Sequence, residues 1–304
     1  MDNYLKRINM KKTIFLAVIT AMSIGLANAQ SSAISIKSEK VASIPSREPN
    51  NATWNSATAS SIPVFPQNIT NPMLNTPSVK NLNVKSINDG TTIAFLLEWT
   101  DSTKDLFVES DKFCDQVAIQ LPMHPDTLPV FMMGNKKGRV HIIHWKAVWQ
   151  NDIENGFRDV KDAYPNYWTD IYPMAEKQGD GSKGKFARDI SALDYSKGAG
   201  KNFMPGAYAG NPMSIFDRKE PAEECMAEGF GTLTTQTNQN STAWGVWENN
   251  TWKVIFTRPL LSPDKDDAPL TAPTKIAFAI WNGHFDNISG KKHYAQWIDL
   301  TVQK

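Results

Sequence analysis

The chain has 304 residues, 41% of them hydrophobic, with 32 basic and 31 acidic side chains. That is an ordinary globular composition, long enough for one large domain or two small ones. A net charge of +1 removes any electrostatic case for nucleic acid or an acidic membrane surface as partner; the two cysteines, Cys114 and Cys225, lie too far apart in sequence to form a Cys-x-x-Cys-His haem attachment and are too few for an iron–sulfur set or a four-cysteine zinc site.

Residues 1–29 read as a secretory signal peptide. Lys6, Arg7, Lys11 and Lys12 precede the apolar run TIFLAVITAMSIGLA, and Ala27-Asn28-Ala29 offers small residues for cleavage before Gln30. A start at Met10 would serve equally. No later apolar run approaches the ~18–20 residues that span a bilayer. The expectation is an exported, periplasmic protein (or one in an equivalent compartment reached by secretion) with no transmembrane segment. Export permits a disulfide, and the spacing of Cys114 and Cys225 leaves their pairing open.

Residues 30–78, rich in Ser, Asn, Thr and Pro, read as an extended N-terminal arm. Residues 79–304 carry short strand-like runs, first NLNVKSI, TTIAFLLEW, DQVAIQL, PVFMM and RVHIIHWKAVW, then GFGTLTTQ, TAWGVWE, TWKVIFTRPL, TKIAFAIW and YAQWIDLTV. Turn residues separate them, as at Asn88-Asp89-Gly90 and Asn249-Asn250. This spacing predicts an all-β domain, an antiparallel β-sandwich. Residues from about 150 to 225 interrupt it with a long irregular insertion rich in Gly and aromatic residues; a segment of that kind is functional or lies against a partner.

Enzyme signatures are missing: there is no Gly-x-Ser-x-Gly, His-Glu-x-x-His, phosphate-binding Gly-rich loop or EF-hand pattern. His141 and His144 stand three apart on a strand, so they face opposite sides and share no ion. Two places stand out. In GKKHYAQWIDLTV, strand alternation puts Lys292 in line with Tyr294, Ile298, Leu300 and Val302, and Lys291 on the other face with His293. In PVFMMG, paired methionines end a strand at Gly134. Taken alone, the methionines are core filler beside Phe131 and the lysine snorkels its charge to the sheet edge. Together they suit a cofactor. A buried lysine loses its proton to desolvation and offers a lone pair, and a thioether is a soft, neutral donor for reduced iron.

The ordered pieces AFLLEWTDSTKD, DQVAIQLP, PVFMMG, VHIIHWKAVW, AEGFGTLT, WKVIFTRPL, FAIWNG and GKKHYAQW give the chain a resemblance to a known group. It resembles the haem b-binding γ subunits of ethylbenzene dehydrogenase and dimethyl sulfide dehydrogenase, with related subunits in selenate reductase, chlorate reductase and nitrite oxidoreductase. The resemblance spans roughly Val79 to Val302 and is weakest in the middle. It implies a sandwich that encloses one non-covalent haem b with Met and Lys as axial ligands. The methionine lies just before a glycine, which matches Met133. The lysine lies two residues after a glycine and five before a tryptophan, which matches Gly290, Lys292 and Trp297. Strand parity selects Lys292 independently. The doubled residues depart from the family, which usually has Arg where Lys291 stands, so Met132 and Lys291 remain alternates. Trp145, Trp149 and Trp281 line the pocket or pack the core.

By the same resemblance the chain has no catalytic site of its own. It relays single electrons between the iron–sulfur β subunit of a molybdenum α-subunit enzyme and a soluble cytochrome or similar carrier; nitrite oxidoreductase or a nitrate reductase-like enzyme is one parent. The competing reading is a carbohydrate-binding β-sandwich module without haem, whose stacking platforms would come from the ten tryptophans.

Overall fold

The fold is seen in a computed structural model, which describes residues 33–158, 160–164, 166, 206, 209, 211–215, 218–270 and 272–303. The leader expected at 1–29 and most of the expected insertion lie outside the described residues. In chain order the first strands are β1 (Ser35–Lys40), β2 (Ser60–Pro63), β3 (Phe65–Pro66), β4 (Asn81–Asn88), β5 (Thr92–Thr100), β6 (Gln116–Pro122) and β7 (Val140–Lys146). The helix α1 (Ala147–Asn155) continues directly from β7. After it come β8 (Ala222–Ala227), β9 (Thr234–Thr235), β10 (Thr242–Glu248), β11 (Thr251–Pro259), β12 (Thr274–Trp281), β13 (His293–Tyr294) and β14 (Ile298–Val302).

Hydrogen bonding links the strands in the order β10-β11-β5-β4-β1-β14-β12-β6-β7-β8-β9, with β2 on β4 and β13 between β12 and β3. Pairing is antiparallel except at β1, which runs parallel to both β4 and β14. The sheet folds over itself into the two layers of a sandwich. Phe95, Leu97, Val254 and Phe256 of β5 and β11 meet Val117, Ile119, Ile143 and Ile280 of β6, β7 and β12 in one buried cluster. Each such side chain contributes about 1.5–3 kcal/mol on burial. The expected all-β sandwich is therefore present.

The described part of the stretch expected as an arm supplies β1, β2 and β3 to the sheet. β1 bridges the layers, and the short helical turn Ala52–Ser56 seats Trp54 over Ala94 and Leu96 on the outer face of β5. Two hairpins follow from local sequence. Asn249 and Asn250 take the left-handed conformation, at φ 50° and 57°, that a two-residue turn between β10 and β11 requires. Asp89 accepts from the amides of Thr91 and Thr92 between β4 and β5.

Two expectations are corrected and one open question is answered. PVFMM is a turn rather than a strand, because Met133 and Gly134 both have positive φ (63° and 77°) and break the extended backbone. Residues 150–155, expected in the irregular stretch, are helical. Cys114 and Cys225, whose pairing was open, are both buried free thiols, one in the inter-sheet core and the other on the outer face of its layer.

Candidate functional site

Alternation along β6, β7 and β12 gives the second layer two different faces. Val117, Ile119, Ile143, Trp145, Phe278 and Ile280 point into the sandwich. Ala118, Gln120, Ile142, His144, Ala277, Ala279 and Trp281 point outward and line a cavity of ≈ 360 Å³, within the ~300–1,000 Å³ typical of small-molecule and cofactor sites. The cavity thus lies against the outer face of one layer, and the space between the layers is filled with side chains. Ala118 pairs across the ladder with Ala279. With Ala277, these small side chains leave a flat apolar floor.

Two loops wall the cavity. One carries Phe131, Met132 and Met133; the other carries Gly290, Lys292 and Tyr294. The loops touch where Phe131 stacks on Tyr294, with ring centroids 5.3 Å apart and planes at 22°. Trp281 forms a third side, stacked on His144 at 4.8 Å. Phe230 and Leu233 sit at the mouth, each 48% exposed.

Lys292 is the electrostatic oddity of the site. Burial pushes its ammonium down to about 8, although the cavity mouth keeps the residue only half-buried. No carboxylate among the described residues offsets that cost, and the nearest π face is Trp281, 5.1 Å from Nζ to the ring centroid. The expected parity holds locally: Lys292 and Tyr294 face the cavity, while His293 turns the other way and is fully buried. It fails farther along, because β13 and β14 are separate strands with a break at 295–297, and Leu300 belongs to the inter-sheet core. The face that holds Lys292 is therefore the outer one. Lys291 is absent from the cavity wall, whereas both Met132 and Met133 line it.

His293 Nε2 accepts from the amides of Ser78 and Val79 at 3.0 and 3.2 Å, and Nδ1 lies 3.3 Å from the Ile280 carbonyl. Burial lowers its pKa to about 4, so the ring is neutral and pins the arm beside the Lys292 loop. Of the three tryptophans expected near the pocket, Trp281 lines it. Trp145 lies on the opposite face of β7 from His144 and packs edge-on against Trp252 at 5.0 Å in the core. Trp149 sits on α1 beneath the Lys146 ammonium, 3.6 Å from its ring centroid. Phe131, His144 and Tyr294 escape sequence reading, although the opposite facing of His141 and His144 was legible.

His141 enters the sandwich, where it meets Glu224 and Asp267, the three ligand atoms lying within 4.8 Å of one another. This is not a metal centre. Nδ1 accepts from the Ala268 amide at 3.2 Å, which leaves the ring proton on Nε2, 3.3 Å from Glu224 Oε1; a ligating imidazole needs the reverse arrangement, donating through its outer nitrogen. Arg258 Nη1, 3.3 Å from His141 Nδ1, supplies the positive charge that the two buried carboxylates require.

The outer cavity fits a flat, largely apolar prosthetic group. Its alanine floor accepts a planar ring, and a neutral sulfur and an uncompensated amine stand on its walls. A protein of Haloferax mediterranei that carries the provisional name respiratory nitrate reductase heme subunit is 20% identical over 254 residues. The match covers 83% of this chain and 66% of that relative's own length. Among solved structures, a family 9 carbohydrate binding module of Caldicellulosiruptor kristjanssonii in complex with glucose aligns with TM-score 0.41 and 10% identity, covering 88% of this chain and 95% of the module. A Bacteroides uniformis protein described as carbohydrate-binding aligns with TM-score 0.44 and 8% identity, covering 90% and 100%. Likeness at that level assigns nothing to this chain. A family model described as ethylbenzene dehydrogenase matches residues 51–293, from the arm through the Met133 turn to Lys292. The protein therefore belongs to the ethylbenzene dehydrogenase family.

Proposed function

We propose that the chain is a haem b-binding electron-transfer subunit, with Met133 and Lys292 as the residues that hold the iron from two sides. One observation carries the reading: the Lys292 amine, desolvated and without an acidic partner among the described residues, faces a cavity that it shares with Met132 and Met133. Such an amine sheds its proton readily and is left with a lone pair to donate. The thioether opposite needs no deprotonation. A bound haem would supply reversible one-electron chemistry, and its hold by both residues would leave no open position for substrate. Ala118, Ala277 and Ala279 would form the floor beneath it, and Phe131, Tyr294 and Trp281 would shield it from water.

The wider role rests on family membership and the named relative. The subunit serves an exported molybdenum oxidoreductase, passing electrons between an iron–sulfur β subunit and an external carrier such as a soluble cytochrome, with a nitrite oxidoreductase or nitrate reductase-like enzyme as parent. The test uses the full chain expressed with ample porphyrin supply. Pyridine haemochrome analysis is expected to find about one haem b per chain, in keeping with one Met/Lys pair. Lys292→Ala is expected to perturb the low-spin spectrum and Lys291→Ala to leave it intact. A colourless protein overturns the reading, and the reverse pair of spectra moves the ligand role to Lys291.

A further inference from the structure

A buried amide costs stability unless its hydrogen bonds are made, and two glutamines at the cavity make theirs to the loops that carry the ligands. Gln120, in β6 and 8% exposed, donates from Nε2 to the Phe131 carbonyl at 2.7 Å and accepts at Oε1 from the Met133 amide at 3.2 Å. One side chain thus bridges a carbonyl and an N–H two residues apart within the turn. Met133 needs that support: at φ 63° its backbone sits in the left-handed region, which a residue with a Cβ enters only under constraint. The Gly229 amide holds the Met133 carbonyl at 2.8 Å from the other side.

Gln67, 2% exposed, plays the matching part at the other wall. Its Nε2 donates to the Gly290 carbonyl at 2.7 Å and to Thr70 and Pro72 carbonyls at 2.7 and 3.2 Å. Its Oε1 accepts from the amides of Ile69 and Thr70, and its own backbone amide donates to the Lys292 carbonyl at 2.9 Å. Each loop is also tied by an indole: Trp297 Nε1 donates to the Pro129 carbonyl at 2.7 Å, and Trp281 Nε1 to the Ser289 carbonyl at 3.0 Å. The two loops come from different parts of the chain, yet both end in the same kind of fastening.

We propose that Gln120 and Gln67 are positioning residues, the first for Met133 and the second for Lys292, which fix the backbone of both ligands before the cofactor enters and keep each ligand in place when the charge on the iron changes. The inference rests on the haem reading above. Groups that orient a metal ligand in this way matter nearly as much as the ligand itself.

The experiment measures carbon monoxide binding to the reduced, haem-loaded full chain, since carbon monoxide enters only when an axial ligand lets go. Gln120→Leu and Gln67→Leu are each expected to raise its binding by about tenfold, the ratio that the loss of hydrogen bonds of typical net strength gives. In a Met133→Ala background Gln120→Leu is expected to add nothing, and in a Lys292→Ala background Gln67→Leu is expected to add nothing, because a positioning residue works only through its own ligand. If a leucine variant fails to fold, Gln120→Glu or Gln67→Glu, which keeps the shape and the Oε1 acceptor but loses the Nε2 donor, is measured in the same way. Unchanged carbon monoxide binding in folded variants of a six-coordinate wild type overturns the inference and leaves the haem reading standing. A wild type without low-spin haem overturns the haem reading instead.

Discussion

Replacing Lys292 by methionine in the haem-free protein should raise its stability, and the structure sets the amount. Burial lowers the lysine from 10.5 to about 8, a difference worth about 3 kcal/mol when the group is fully protonated. Water entering the cavity mouth reduces that figure, and the Trp281 face, 5.1 Å from Nζ, returns about 0.5–1 kcal/mol as a cation–π contact. About 2 kcal/mol remains. The sign follows from proton counts. Between about 8 and 10.5 the unfolded chain holds the proton and the folded chain does not, so wild-type stability rises with pH across that window and the whole penalty is present below it. Methionine has no such proton. Urea unfolding at pH 6.5 and at several points up to 10.5 should show Lys292→Met more stable at the acid end, with the gap closing as pH rises. A variant equal to or weaker than wild type at pH 6.5 would mean that the amine is hydrated, and the argument for an available lone pair would fall with it.

Gly134→Ala should cost about 1–3 kcal/mol, because φ is 77° and the added Cβ would lie 2.4 Å from the Gly138 carbonyl oxygen; thermal melts of the haem-free protein check this. Arg258→Leu should cost about 3 kcal/mol by denaturant unfolding, since it leaves Glu224 and Asp267 buried without their compensating cation. Burial first, then the Asp101 charge, raises Asp115 to about 7. The folded chain therefore holds this proton where the unfolded chain has lost it, and the contribution of Asp115 to stability declines as pH climbs from about 4 to about 7. Asp101→Asn should shift that decline to lower pH, followed by unfolding at a series of pH values.

The long apolar strands were legible because period-two alternation needs only local sequence. β5, β6, β11 and β12 each bury at least one face, and runs such as TIAFLLEW and VAIQL announce it. β1 gave no such signal: SIKSEK alternates but is mostly polar, and its place comes from parallel partners about fifty and more than 260 residues away. At the cavity, Lys292 was conspicuous as a charge among apolar neighbours. Gln67 and Gln120 were not, since a glutamine in a strand or loop reads as surface until the carbonyls and amides it serves are brought beside it. Trp145 and Trp149 stayed open between two readings, for a large aromatic near a ligand motif fits a core and a pocket alike, and only facing separates them.

The parallel strand β1 also orders events in time. Ser35–Ser38 pair with Asp299–Val302, so almost the first residues of the folded unit wait for almost the last before the two layers are joined. Loop closure over that separation is slow. Lys292, between β12 and β14, takes its station only when that closure is made. Assembly of the cavity is therefore a late event in folding.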